Sequence, residues 1–385
     1  MNEFTFNTAK SIRFGAGHLE LLGDITKSLT DQKLLLITDP GMMATGIVDR
    51  AINILRQSGL EIVLFNEVEA DPPEIKVLQA VDLAVSAQIG CVIGLGGGSS
   101  LDVAKLVALL AVGKEKLKDI YGVGNARGPR LPLILVPTTS GTGSEVTPIS
   151  IVTTGTNEKM GVVSPIILPD IAVLDPALTI GLPPHITAAT GIDAMVHAIE
   201  AYTSVNPNNN PVSRMLAEKA LTLMGASLLT AVHDGQNLKA RSDMLLGSML
   251  AGQAFANSPV AAVHALAYPL GGRFHIPHGL SNALVLPHVL RFNAKLTPEP
   301  YAELAPFAFS ELAHVEPQNR ARAFIEKLVE LSSECGLQQN LRQMGIPQEA
   351  LPELADDAMN QSRLLVNNPR ALTRGDALAI YRSAF

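Results

Sequence analysis

The segment TAATGIDAMVHAIEAYT, residues 187–203, sets Asp193 and His197 four residues apart, with Glu200 three further on. At helical spacing these three side chains leave one face, where a carboxylate and an imidazole can share a cation. The neighbours Ile192, Met195, Val196 and Ile199 are apolar, which implies burial. Farther along, AVHALAYPLGGRFHIPHG predicts His264 on a helix one turn before Tyr268, a turn through Gly271 and Gly272, then His275 and His278. One aspartate with two or three of these histidines makes a borderline-hard donor set suited to divalent Fe, Zn, Co or Ni, with geometry choosing among them.

A second chemistry lies nearer the N-terminus. In GLGGGSSLDVAK, residues 94–105, a strand-like run gives way to a helix-like one across three glycines. Such a turn lets the backbone approach a ligand closely, and the helix N-terminus offers unpaired N–H groups and a positive dipole end, which suits a phosphate. The spacing is not GxGxxG, and no acidic residue stands about 20 positions on to take a ribose. Asp39, closing an earlier strand, is the better ribose candidate; capping a turn with Pro40 and Gly41 is its other reading. PTTSGTGSE, residues 137–145, follows another strand and sets hydroxyls among two glycines, again suiting a polyphosphate. Each loop, taken singly, can also be no more than a tight turn.

The elements that must hold these residues divide by pattern. Strands are predicted at 33–38, 61–65, 91–98, 131–137, 149–154 and 170–175, with helices at 44–58 and 73–87. This alternation is βαβαβ and implies a parallel sheet covered by helices. From about 186 the strand signals stop, and Ala/Leu/Met-rich helical patterns follow, including 211–233, 239–257 and 318–335. The tandem prolines of GLPP, 181–184, favour an extended junction. The expected domains are 1–182 and 183–385, the second all-helical.

Composition narrows the class. The chain has 385 residues, 47% hydrophobic and 17% charged, with a net charge of −7. That is a chain with a packed core, not a disordered one. No Lys/Arg cluster makes a phosphate-backbone footprint, so nucleic acid is not an expected partner. Uninterrupted apolar runs such as 107–112 fall far short of the roughly 20 residues a membrane span needs, and MNEFTFNTAK has no apolar leader pattern. Cys91 and Cys335 stand far apart, which fits two unpaired thiols in a reducing compartment. The expectation is a cytoplasmic protein without a membrane partner.

Four motifs in order, GGGSSLDVAK, PTTSGTGSEVT, GIDAMVHAIEAY and HALAYPLGGRFHIPHGLSNALVLPHV, resemble the iron-dependent (group III) alcohol dehydrogenases over nearly the whole chain. The resemblance implies an α/β dinucleotide-binding domain followed by an all-α domain, the architecture shared with dehydroquinate synthase, and an active-site cleft between them. It implies metal ligands Asp193, His197, His264 and His278, with Fe2+ as the expected ion and Zn2+ the alternative. NAD is the implied cofactor: its pyrophosphate against Gly97, Gly98 and Ser99, Thr138, Thr139 and Thr142 closing over it, Asp39 and Asp71 toward the adenosine ribose, and Lys159 lining the same cleft. A small alcohol or aldehyde is the implied substrate, and a homodimer or larger homo-oligomer the implied assembly.

The implied reaction is hydride transfer between an alcohol and NAD, with the cation as Lewis acid toward the alcohol oxygen. Family members commonly carry a histidine one turn after the third ligand; this sequence has Tyr268, with His275 as a candidate substitute for the relay. The departure resembles the SYP-type pattern of the hydroxyacid-oxoacid transhydrogenases, so a transhydrogenase that retains its nicotinamide stands as an alternative. A dehydroquinate synthase-like lyase is another, against which the DAMVH segment and the low basic content around 257–290 count. A non-catalytic metal-binding scaffold is the third, against which two phosphate-type loops beside a four-ligand set count. Phe255, Val260 and Leu266 suggest an apolar lining suited to small aliphatic alcohols.

Overall fold

The short Leu/Ile/Val runs line up side by side in the computed structural model, which describes residues 3–155 and 158–385. The strands are β1 (Ser11–Phe14), β2 (Leu34–Ile37), β3 (Ile62–Phe65), β4 (Cys91–Gly96), β5 (Gly122–Val123), β6 (Leu133–Pro137), β7 (Ile149–Thr154), β8 (Glu158–Val163) and β9 (Ile171–Leu174). Six of them form one parallel sheet in the order β1-β9-β6-β4-β2-β3. The helices that cover it are α1 (Ile47–Gln57), α2 (Glu74–Ser86) and α3 (Gly98–Leu110). Because strand side chains alternate, β2 sends Leu35 and Ile37 into one core with Val77, Ala80 and Val107, and Leu34 and Leu36 into another with Val48, Ala51 and Leu55. Burial on both faces is why LLLI, CVIGLG and IAVL read as continuous apolar runs.

Three local readings change. The helix expected at 44–58 starts only at Ile47, after a separate helical turn at Pro40–Met43. The strand at 149–154 does not join the main sheet: it is β7 of a second sheet ordered β5-β8-β7, paired antiparallel with β8. Its alternating burial, one face covered and one not, is the mark of such a ribbon. Strands β1 (SIRF) and β8 (EKMGVV) escape sequence reading because both are interrupted by charge.

From Leu182 onward no strand occurs. The principal helices are α4 (Pro184–Thr203), α5 (Pro211–His233), α6 (Leu238–Asn257), α7 (Ala262–Phe274), α8 (His278–Ala294) and α9 (Pro317–Glu334). The turn expected at Gly271 and Gly272 is absent, since α7 runs through both and stops at His275, in left-handed conformation with φ 54. Helix α5 is long and apolar enough by composition to cross a membrane, although no uninterrupted run announced it. Its buried residues, Ala217, Ala220, Leu221, Met224 and Leu228 among them, pack against the neighbouring helices α4 and α6. By contact the chain divides into Asn7–Thr139 with Gly143–Gly181, and Leu182–Phe385 with Ser140–Thr142 and the N-terminal segment ending at Phe6. That last segment is tied to the helical unit by Thr5, whose backbone N–H donates to Asn208 Oδ1 at 2.8 Å and whose carbonyl accepts from Asn208 Nδ2 at 2.9 Å.

Candidate active site

Helix α4 opens with proline, whose missing N–H costs nothing in a first turn, and from Gly191 to Thr203 it is buried all round. Asp193 and His197 therefore project into protein, one turn apart. The N-terminus of α8 crosses α4 so closely at Gly279 that a Cβ there would lie 2.3 Å from the Ala189 carbonyl oxygen and 3.3 Å from Asp193 Cβ. Only glycine permits that approach, and it brings His278, the residue before it, to Asp193, Nε2 to Oδ1 3.6 Å. His264, in the first turn of α7, brings its Nε2 to 4.0 Å from the same oxygen. Asp193, His197, His264 and His278 each offer a ligand atom, and all these atoms lie within 4.8 Å of one another.

Electrostatics prepares the set for a cation. Burial pushes His264 well below the usual imidazole range, the neighbouring His197 and His278 adding to the effect, and burial likewise lowers His197. Neutral imidazoles keep a lone pair for a metal. Burial alone would raise Asp193, but the surrounding histidines and the Asn282 amide outweigh it and hold the carboxyl below its ordinary value. The buried Nδ1 of His197 has no hydrogen-bond partner among the described residues.

Two residues complete this group. Glu200, on the helical face it shares with Asp193 and His197, backs His264: its Oε2 lies 2.6 Å from His264 Nδ1, while Oε1 accepts from the Val263 N–H at 2.7 Å. It thus satisfies a free N–H at the start of α7 and turns the far nitrogen of His264 toward the set. Burial pushes the Glu200 carboxyl up to about 7. Asn282, one turn after His278, was missed; its Nδ2 donates to Asp193 Oδ1 at 2.5 Å and lies 3.3 Å from both His264 Nε2 and His278 Nε2. The i+4 spacing from His278 was the available signal, but an asparagine inside an apolar helix carries no message until its neighbours are known.

Tyr268 packs beside the set, its ring centroid 6.5 Å from that of His264 and 5.8 Å from that of His278. His275 is exposed at the end of α7 and makes no ring contact with the group among the described residues. Phe255 stacks on His197 at 4.3 Å, which sets one apolar ring beside the group. Leu266 does not stand with it: two residues past His264, it faces away and is fully buried in the core.

In the sheet unit, Asp39, Gly97 and Thr138 stand at the C-terminal ends of the adjacent strands β2, β4 and β6, where open α/β sheets bind ligands. Gly97, Gly98 and Ser99 are partly exposed at the start of α3. Gly96 has φ 149, and a Cβ there would meet Ser100 Oγ at 2.8 Å and Asp39 Oδ2 at 3.1 Å. Asp39 caps the Pro40–Met43 turn by accepting from the Met42 N–H at 3.0 Å, and accepts from Ser100 Oγ at 3.2 Å. Thr138 is buried and Thr139 partly exposed, whereas Thr142 belongs by contact with the helical unit. Asp71 and Lys159 pair with each other at 2.7 Å.

Residues 9–176 match the family model described as iron-containing alcohol dehydrogenase, and residues 187–385 the one described as Fe-containing alcohol dehydrogenase family, C-terminal. The chain belongs to the iron-containing alcohol dehydrogenase family. It is 42% identical to long-chain-alcohol dehydrogenase 1 of Geobacillus thermodenitrificans (strain NG80-2) over 96% of this chain and 94% of that protein. The crystal structure of a 1,3-propanediol oxidoreductase superposes with a TM-score of 0.96 at 35% identity, covering 100% of both chains. Sulfoacetaldehyde reductase from Bifidobacterium kashiwanohense, solved in complex with NAD+, superposes with a TM-score of 0.88 at 27% identity over 99% of this chain and 98% of that one. This family member is accordingly a metal-dependent oxidoreductase of alcohols, and its α/β and helical parts are those the sequence resemblance implied. The donor set fits the metal: three imidazoles, two of which (His197 and His264) burial holds toward the neutral form, an aspartate carboxyl held below its ordinary value, and a buried ring nitrogen without a partner among the described residues.

Proposed function

We propose that Asp193, His197, His264 and His278 hold one divalent cation, Fe2+ first and Zn2+ second, and that the chain interconverts a small alcohol and its aldehyde or ketone with NAD(H). The observation that carries this is the gathering of four ligand atoms within 4.8 Å, from three separate helices. A cation held there would polarise the substrate oxygen, and the nicotinamide would accept or return hydride.

The chain's own residues do the rest. Glu200 holds His264 with Nε2 turned toward Asp193, and Asn282 holds Asp193. Tyr268, against the rings of His264 and His278, donates its phenol hydrogen toward a substrate oxygen; its placement favours it over the exposed His275 as the group that moves a proton. The Phe255 ring excludes water on one side and suits an aliphatic chain. Gly97, Gly98 and Ser99 offer backbone N–H groups to the pyrophosphate with Thr138, Thr139 and Thr142, Asp39 accepts from a ribose hydroxyl, and the Asp71–Lys159 pair borders the same ligand.

The test is metal analysis of anaerobically purified protein with an NADH-linked screen of short alcohols and aldehydes. About one equivalent of Fe or Zn with turnover supports the reading; turnover without metal refutes it. Tyr268 also favours a second reading, a transhydrogenase that keeps its nicotinamide, which nicotinamide retained through gel filtration would establish. A cytoplasmic location, suggested by the buried thiols Cys91 and Cys335, and a homo-oligomeric state are part of the same proposal.

A further inference from the structure

The side chain of Lys105, the last residue of the glycine-loop motif, is 0% exposed. From the middle of α3 its ammonium donates to Ser144 Oγ at 2.7 Å, Thr147 Oγ1 at 3.2 Å and the Ile149 carbonyl oxygen at 2.6 Å. Asp102 Oδ1, 3.5 Å away, is its counter-ion and a fourth, longer contact. One turn earlier, Asp102 accepts from Ser144 Oγ at 2.5 Å and from the Ile151 N–H at 2.9 Å, and Ser150 Oγ donates to the Asp102 carbonyl at 3.0 Å. The stretch 144–151 is the return arm of the hydroxyl-rich loop that begins at Thr138. The helix that starts at the glycine loop is thus fastened, from inside the core, to the arm of the other loop.

A buried lysine is a costly way to fill this space. Taking an ammonium out of water is opposed by several kcal/mol in real proteins, and well-packed apolar replacements of buried charges are often neutral or stabilising. What an apolar side chain of the same length would not do is fix two hydroxyls and a carbonyl at once.

We propose that Lys105 is a positioning residue for the dinucleotide: it holds the return arm of the Thr138 loop in register with the glycine loop, so that both present their anion-facing groups in one geometry. The inference rests on the dinucleotide reading above. Preorganisation of this kind appears in affinity, because an untethered arm must be ordered anew each time ligand binds.

The experiment measures NADH binding by fluorescence titration for the full chain and for Lys105→Met and Ser144→Ala, alongside metal content, far-UV circular dichroism and steady-state kinetics. Lys105→Met is expected to raise the dinucleotide Kd and KM about tenfold or more, with metal content unchanged and kcat at saturating NAD within about threefold of the parent. Ser144→Ala, which keeps the lysine, is expected to raise Kd about threefold. A folded Lys105→Met that binds NADH as the parent does overturns the inference. If that variant does not fold, parental binding by Ser144→Ala overturns it. Failure of the parent itself to bind NADH would overturn the dinucleotide reading and this inference together, whereas parental binding with unchanged variants refutes only the role of Lys105.

Discussion

Replacing Glu200 by glutamine isolates what orients His264. The carboxylate makes two bonds at once, to His264 Nδ1 at 2.6 Å and from the Val263 N–H at 2.7 Å, and both call for an acceptor. A glutamine has one acceptor and one donor end. If its oxygen faces His264, its amide meets the Val263 N–H donor to donor, leaving a buried pair unsatisfied at about 1–3 kcal/mol. If its amide faces His264 instead, the imidazole must carry its proton on Nε2, the nitrogen that points toward Asp193, and that tautomer offers no lone pair to a metal. Either outcome weakens metal binding, and loss of such an orienting partner typically costs about 10–100-fold in affinity, or roughly 1.4–2.8 kcal/mol. The assay is competition for Zn2+ and Co2+ against a chelator of known strength, read by metal content and by the visible spectrum of the Co2+ form. Glu200→Gln with the parent's metal affinity and an unaltered Co2+ spectrum would show that His264 needs no such partner, and the reasoning would fail.

Three further perturbations test other parts. Tyr268→Phe should lower kcat by about a hundredfold with metal content unchanged, as expected for loss of a proton donor at the reacting oxygen; equal turnover would make Tyr268 a packing residue. Asp39→Gly should narrow a preference for NAD over NADP by about tenfold if, as proposed, the carboxylate accepts from a ribose hydroxyl and repels a phosphate. It should also lower stability by about 1 kcal/mol through the lost cap on Met42, and competition kinetics with calorimetry would separate the two effects. Asp170→Asn addresses acid stability. Burial would raise Asp170, but hydrogen bonds from Arg130 and Lys10, each 2.5 Å, and from the Leu133 N–H at 3.0 Å win and hold its carboxyl below the usual aspartate range. A depressed carboxyl contributes stability fully above its unfolded value and loses it as pH falls through the folded one. Asp170→Asn should therefore cost about 1–2 kcal/mol at pH 7, allowing for partial solvent exposure, and progressively less below about pH 4. A constant deficit between pH 3 and 7 in denaturant titrations would contradict this.

Residue type and spacing alone determined a good deal here. Parallel strands buried on both faces must be apolar throughout, so β2, β4, β6 and β9 announce themselves within one or two residues. Asp193 and His197 share a face because any helix would make them do so, and the glycine run at 96–98 marks a strand-to-helix turn wherever it lies. Such periodicities are local, and they say nothing about what stands opposite. Only the tertiary structure decided that Glu200, on the same face as Asp193 and His197, turns its carboxylate onto His264 and the start of α7. Only it showed that α7 continues through Gly271 and Gly272, carrying His275 out to the surface. The same holds for the closeness of α8 to α4, set by a missing Cβ at Gly279, and for the fully buried Lys105, which as a sequence letter reads as a solvated charge. In each case the deciding quantity is a distance of a few ångströms between residues tens of positions apart, and a one-dimensional pattern does not contain it.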